Sequence, residues 1–398
     1  MSALTSKAAL AYRVVTDLLP DRLSMPLRPR SRRFALNDVP EAVTAPDTGV
    51  RLFIAPANFA AQGYQWARAA ERLPDVGAVN MQYRTPHDFG FPADYAVSEE
   101  VFRLSGSWGR RQRDAVGGGF THALIESERA MFGVAFEGFT GREARWLRNR
   151  GVQVGLVSHG SDLRLPSRHA QIDEWSPFRD ADPGWVKALE ARARANRALF
   201  ERLQAPAFVA TPELLLDWPD AVWLPNVVDP ARWRIPRPAF DGGIPVVLHA
   251  PTNAAVKGTG QIEPVVERLA ADGIIDYQRV IRVPASEMPA RYAAADVVLD
   301  QFAIGIYSTT SIEAMAAGRL VIAHLHDQVR DHIRMVTGLE APIVEATPDT
   351  LGDVLRDVAE RPDHYREIAG RGPEYVTAVH DGALAAEVLA PFLGRAPA

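Results

Sequence analysis

The chain contains no cysteine. That excludes disulfides, thiolate nucleophiles, zinc fingers and iron–sulfur clusters together. It also lacks any apolar run of 18 residues, so no segment reads as a membrane span. The opening MSALTSKAALAYRVV has no charged region followed by a clean hydrophobic stretch, so a cytoplasmic protein is expected. The spacings HxxxH and HExxH are missing, and no metal site is expected. The phosphate-cradling run GxxxxGK followed by Ser or Thr is also absent. With a net charge of −5 the molecule is no general polyanion binder, and nucleic acid is not an expected partner. One basic cluster, LRPRSRRF at 27–34, reads first as a solvated arm; weak peripheral contact with a membrane surface is the other reading.

What is present is ordinary globular composition, 47% hydrophobic and 23% charged over 398 residues, enough for two domains with cores of their own. From Arg51 short apolar runs alternate with helical spacing: RLFIAPA, GYQWARAAERL, VGAVNMQY, FTHALIES, EARWLRNRG, VQVGLVSHGSD. Such alternation indicates βαβ units on a parallel sheet. DPARWRIPRPAFDGGIP (229–245), with several Pro and Gly and little periodicity, reads as a linker. After it the alternation restarts with PVVLHAPTN, QIEPVVERLAADG, YQRVIRVP, ARYAAADVVLDQF and RLVIAHL. The expected organisation is an extension at 1–48, a Rossmann-like domain at 49–235 and a second at 236–398. The two are expected to face each other across a cleft, with the last helix packing back on the first domain. Ligands of open α/β sheets sit at the carboxyl ends of the strands.

Two stretches of the second half carry chemistry. In IGIYSTTSIEAMAAGRLVIAHL, Ser308, Thr309, Thr310 and Ser311 are N-cap candidates for a helix ending at Gly318. Backbone N–H groups at such a helix start suit a phosphate. Glu313, one turn inside, is placed to accept hydrogen bonds from a ribose diol. A well-capped helix with an acidic first turn accounts for the same residues structurally. In HAPTNAAVKGTGQ, Lys257 and Gly258 follow the first strand of this half, where a cation beside close-approaching backbone suits a diphosphate. On its own that pair is a common loop.

Together these stretches resemble the donor-binding half of retaining GT-B glycosyltransferases of the family-4 type. The resemblance rests on HAPTNAAVKGT, AAADVVLDQF and GIYSTTSIEAMAAGRLVIA in family order, and spans about residues 50 to 390 with ANFAAQGYQWARAAERL, VSHGSDLR and WLPNVVD. It implies that Lys257 contacts the donor diphosphate and Glu313 the ribose. Thr252, Asn253, Gly258, Gly305, Ser308, Thr309 and Thr310 complete the implied donor site. The pattern departs in two places. The family's Glu eight residues before the Glu-Ala-Met is Gly305 here, and an Arg before the Lys is replaced by Thr252 and Asn253.

His159, after an apolar strand, can hydrogen-bond a sugar hydroxyl or polarise a leaving group; the resemblance places such a His near the donor sugar. Asp162 and Arg164 share its loop, and Asn58, Gln62 and Gly63 stand where the family has a Gly-rich loop; all five are acceptor-side candidates. His122, Glu126 and Asn226 read as structural, and His249 is left without a role. Asp296 and Asp300 lack the spacing of a metal-binding Asp-x-Asp, and Asp296 reads as a helix-end residue. The expected catalytic set is His159, Lys257 and Glu313, with a nucleotide-sugar as substrate and no cofactor. The acceptor, a saccharide, lipid or natural product, and the oligomeric state are not legible. A catalytically silent nucleotide-sugar scaffold and a GT-B sugar-nucleotide epimerase or hydrolase are the alternatives; Gly305 keeps the first alive. From the sequence, Lys257→Ala is expected to leave stability nearly unchanged.

Overall fold

The computed structural model describes residues 19–86 and 88–396; the amino-terminal MSALTSKAALAYRVV lies outside the described residues. Seven strands form the first sheet: β1 (Val50–Ala55), β2 (Val76–Arg84), β3 (Tyr95–Ser98), β4 (His122–Glu126), β5 (Gln153–Ser158), β6 (Ala207–Val209) and β7 (Val222–Trp223). Their order is β3-β2-β1-β4-β5-β6-β7. β1 pairs in parallel with β2 and β4, setting Leu52 opposite Ala78 on one side and His122 on the other. Parallel neighbours require crossovers, and helices Gln62–Ala70, Gly106–Gly119 and Thr140–Arg148 supply them. β1 and β4 are buried along almost their whole length, as expected of strands covered on both faces.

The second sheet consists of β8 (Val246–His249), β9 (Asp276–Arg279), β10 (Val297–Leu299), β11 (Leu320–Ala323) and β12 (Ile343–Glu345), in the order β12-β11-β10-β8-β9. All four pairings are parallel. Side chains alternate across a strand, and the core divides accordingly. Leu248, Val298, Val321 and Ala323 enter one apolar cluster, with Phe178, Leu189, Trp223, Tyr292 and Met315. Val247, Val297, Leu299, Leu320 and Ile322 enter another, with Ile262, Val266, Leu351 and Leu355.

Among the described residues, one compact unit draws on 19–158, Ala198–Phe208 and 389–396, the other on His159–Arg197 and Val209–Val388. The junctions therefore fall after Ser158, Arg197, Phe208 and Val388, and not at the Pro- and Gly-rich segment before 236. The physical reason is packing: Phe178 and Leu189 share a core with Leu248, Val298 and Val321, so 159–197 belongs with the second sheet. In the first unit Phe392 meets the His122 ring edge-on at 5.2 Å, and Arg395 donates to the Pro74 carbonyl at 2.9 Å. No helix among the described residues is long and apolar enough to cross a membrane.

Candidate functional site

The site is built on two strand ends of the second unit, those of β8 and β10. After β8, Asn253 caps the one-turn helix Ala254–Lys257, its side chain accepting from Ala255 N at 3.2 Å and Val256 N at 3.4 Å. Gly258 follows at φ +75°, a left-handed conformation that ends the turn and aims Lys257 inward. Lys257 is 5% exposed. Its ammonium is paired with Asp300, which follows β10, and donates to Ser308 Oγ at 2.8 Å.

Asp300 is the hub. Besides Lys257 it accepts from Ser308 N at 2.8 Å, Ser308 Oγ at 2.9 Å and Ser311 Oγ at 2.6 Å. Burial pushes its carboxyl up, but the Lys257 charge and these donors outweigh that and hold it below the usual carboxylate range. Ser308 in turn caps the helix Thr309–Ala316, accepting from Thr310 N at 3.2 Å. The two stretches singled out in the sequence thus meet at one point. In the sequence Asp300 reads only as a residue without metal-binding spacing, because its meaning is three-dimensional: it joins residues 43 and 8 positions away.

Glu313, one turn into that helix, is half-buried and accepts from the Tyr292 hydroxyl at 3.2 Å. Burial pushes its carboxyl up to about 8, against the pull of Tyr292, Arg232 and Lys257. A carboxyl in that state can donate as well as accept, which suits a diol. Gly305 is buried at φ +72°, and a Cβ there would overlap the His326 ring. No side chain fits at this position while His326 stays where it is. Thr252 and Asn253 are exposed, and Thr309 and Thr310 half-buried at the helix start.

His159 directly follows β5 and is half-buried. Asp162 closes its turn by accepting from His159 N at 2.9 Å and Gly160 N at 2.6 Å. Arg164 is buried in an ion pair with Glu213. These three lie in the second unit with Lys257 and Glu313. Asn58, Gln62 and Gly63 lie in the first, around Glu126. That carboxylate is fully buried and accepts from Ala57 N at 3.1 Å and Asn58 N at 3.0 Å. Asn58 accepts from Tyr64 N at 2.9 Å and donates to Gln82 at 2.9 Å, and Gln62 donates to the Ala60 carbonyl at 3.0 Å. A Cβ on Gly63 would come 2.9 Å from Glu126 Oε2, so glycine is required there by packing. His249 donates from Nδ1 to the Leu299 carbonyl at 2.9 Å and receives Thr259 Oγ1 on Nε2 at 2.8 Å, a neutral ring that pins β8 to β10. Asp296 accepts from Phe240 N at 2.8 Å and Val246 N at 3.0 Å, and the Asn226 carbonyl accepts from His380 at 2.7 Å.

No protein-family model and no curated protein sequence matches the chain. Solved structures do. Sucrose-phosphate synthase from Thermosynechococcus elongatus aligns over 84% of this chain and 96% of its own, with a TM-score of 0.55 and 15% identity. Anabaena HepE, solved with UDP and glucose, aligns over 86% and 98%, with a TM-score of 0.53 and 11% identity. The fold is that of the GT-B glycosyltransferases. Two Rossmann-like α/β domains with sheets of seven and five strands make up the chain, as the alternation of strands and helices predicts. At these identities the likeness reaches no further than the fold.

Proposed function

We propose that the protein transfers a sugar from a nucleotide-sugar donor to an acceptor hydroxyl with retention of configuration, and without a metal ion on the diphosphate. The observation that carries this reading is Lys257 Nζ standing 2.8 Å from Ser308 Oγ, at the cap of the helix that bears Glu313. A cation and a helix amino terminus suit a diphosphate, and a carboxyl group one turn into the same helix suits the ribose diol of a nucleotide. HepE, a fold neighbour, is described in complex with UDP-glucose.

In this reading the bond between the anomeric carbon and the diphosphate oxygen breaks, and the departing charge falls on a phosphate held by Lys257 and the amides at the start of Thr309–Ala316. The acceptor oxygen bonds to the anomeric carbon on the same face, and its proton passes to the departing phosphate. Asp300 holds Lys257 in the absence of donor, and the diphosphate exchanges for it. His159 contacts the donor sugar, and Glu313 the ribose. A binding protein without turnover is the second reading, favoured by Gly305, where the His326 ring leaves no room for a carboxylate side chain.

A thermal-shift panel of nucleoside diphosphates, followed by incubation with nucleotide-sugars and simple acceptors, tests the proposal. A raised midpoint and an NMR coupling showing the donor's anomeric configuration in the product support it. An inverted product overturns retention, and binding without transfer or donor hydrolysis across the panel leaves the scaffold. No midpoint shift with any nucleotide overturns both.

A further inference from the structure

We propose that the second unit holds a divalent transition-metal ion of the zinc or cobalt kind on His169 Nε2, Asp173 Oδ2 and His326 Nε2, with His324 beside the cluster. Among the described residues these first three form the one cluster whose ligand atoms all lie within 4.8 Å of one another. His169 and Asp173 sit at the end of the helix Pro166–Ile172; His324 and His326 leave the carboxyl end of β11. No spacing along the chain announces this, since the sequence separates the two pairs by about 150 residues.

Asp173 is 2% exposed. Its Oδ1 accepts from Trp175 N at 2.8 Å, whereas Oδ2 has no hydrogen-bond partner. His326 Nε2 faces Oδ2 at 3.2 Å, close but not aligned for a good hydrogen bond, and has no other hydrogen-bond partner. Two atoms bound at ~2.0–2.2 Å to one tetrahedral ion stand roughly 3.2–3.6 Å apart. His169 Nε2, 4.0 Å from the same oxygen, needs a small ring shift to join; His324 Nε2, 3.8 Å from it, stands outside the cluster and joins only by a larger movement. The shell behind the ligands is in place. His169 Nδ1 meets Ser176 Oγ at 2.7 Å and His324 Nδ1 meets Glu345 Oε1 at 2.7 Å, the arrangement that orients metal-binding imidazoles. His326 N donates to the Gly305 carbonyl at 2.9 Å, and His324 N to the Gln301 carbonyl at 2.8 Å, fixing both rings' backbone to the loop after Asp300. One contact opposes the site: His169 Nε2 now faces the Ile304 carbonyl at 3.2 Å and must leave it. Arg164, the nearby cation, is already paired with Glu213. Imidazole ligands select zinc-like ions over magnesium or calcium. The ion clamps the end of the helix Pro166–Ile172 to the segment 324–326, whose backbone is bonded to the 301–305 loop, and is separate from the diphosphate contact of Lys257.

The full chain, with any affinity tag removed and stripped with a chelator, is titrated with Co²⁺ and then Zn²⁺. Expected are one equivalent bound at micromolar concentration, a visible Co²⁺ band that Zn²⁺ abolishes, and a rise in the unfolding midpoint. Asp173→Asn and His326→Gln each weaken binding at least tenfold, while His364→Ala, at an exposed histidine, does not. If Asp173→Asn fails to fold, His326→Gln and the wild-type Co²⁺ spectrum carry the test. No saturable binding at millimolar metal, or equal affinity in wild type and His326→Gln, overturns the proposal.

Discussion

Lys257 and Asp300 are a buried pair, and removing one partner leaves the other charged in a nearly dry site. Lys257→Ala therefore loses on the order of 3–5 kcal/mol of stability, measurable as a lowered midpoint in urea. The sequence alone suggested almost no loss, because it shows the lysine and not its partner. The double variant Lys257→Met with Asp300→Asn recovers most of that loss; an unchanged midpoint for Lys257→Ala would mean that the pair does not form. Glu313 gives a second test with a definite sign. Its carboxyl ionises near 4.5 in an unfolded chain and about 8 in the fold. Below 4.5 both states are protonated and it contributes nothing. Between the two values the folded state holds a proton that unfolding releases, so stability falls as pH rises. Glu313→Gln should thus gain on wild type from about pH 5 to 8 and hold the gain above. Denaturation at pH 5 and pH 8.5 checks this, and parallel losses in both proteins would contradict it. His159→Ala is expected to cut transfer by ~10²-fold or more, as for other positioned polar groups, while nucleoside diphosphate affinity, by calorimetry, stays within twofold. Full turnover in the variant would remove His159 from the chemistry.

At the scale of elements, the helix Thr309–Ala316 was legible because caps, acid and exit glycine are local signals. Strands β1, β2, β5, β8 and β11 were legible as short apolar runs. What was not legible are the convergences: Tyr292 on Glu313, Glu126 beneath the loop of Asn58, and the pair His169 and Asp173 beside His326. Each joins elements far apart in sequence, and no periodicity encodes which loops will meet. The loop from Asp300 to Ser308 shows the consequence. Gly305 looks like a lost carboxylate in the sequence; in the structure it is held at φ +72° with its α-carbon against the His326 ring. Gly305→Ala should therefore lower the unfolding midpoint through both the left-handed backbone and the overlap, by more than ~1 kcal/mol. Adding His326→Ala removes the overlap alone and recovers part of the loss. Identical midpoints for Gly305→Ala and wild type would show that the ring yields freely.

At the scale of the molecule, composition and alternation were enough for two Rossmann-like units, since strand and helix periods are properties of every segment. The division between them was not, because 159–197 joins the second core through Phe178 and Leu189 rather than through any linker signal. The functional account turns on whether Lys257 and the helix that Ser308 caps hold a nucleoside diphosphate. The most direct measurement is a calorimetric titration of nucleoside diphosphates into wild type and into the folded double variant Lys257→Met with Asp300→Asn. The account predicts saturable binding by wild type and a roughly ten- to hundredfold weaker constant in the variant, as one charge-assisted contact of ~1.5–3 kcal/mol is lost. Equal affinities in the two proteins, or no binding by wild type, would contradict it.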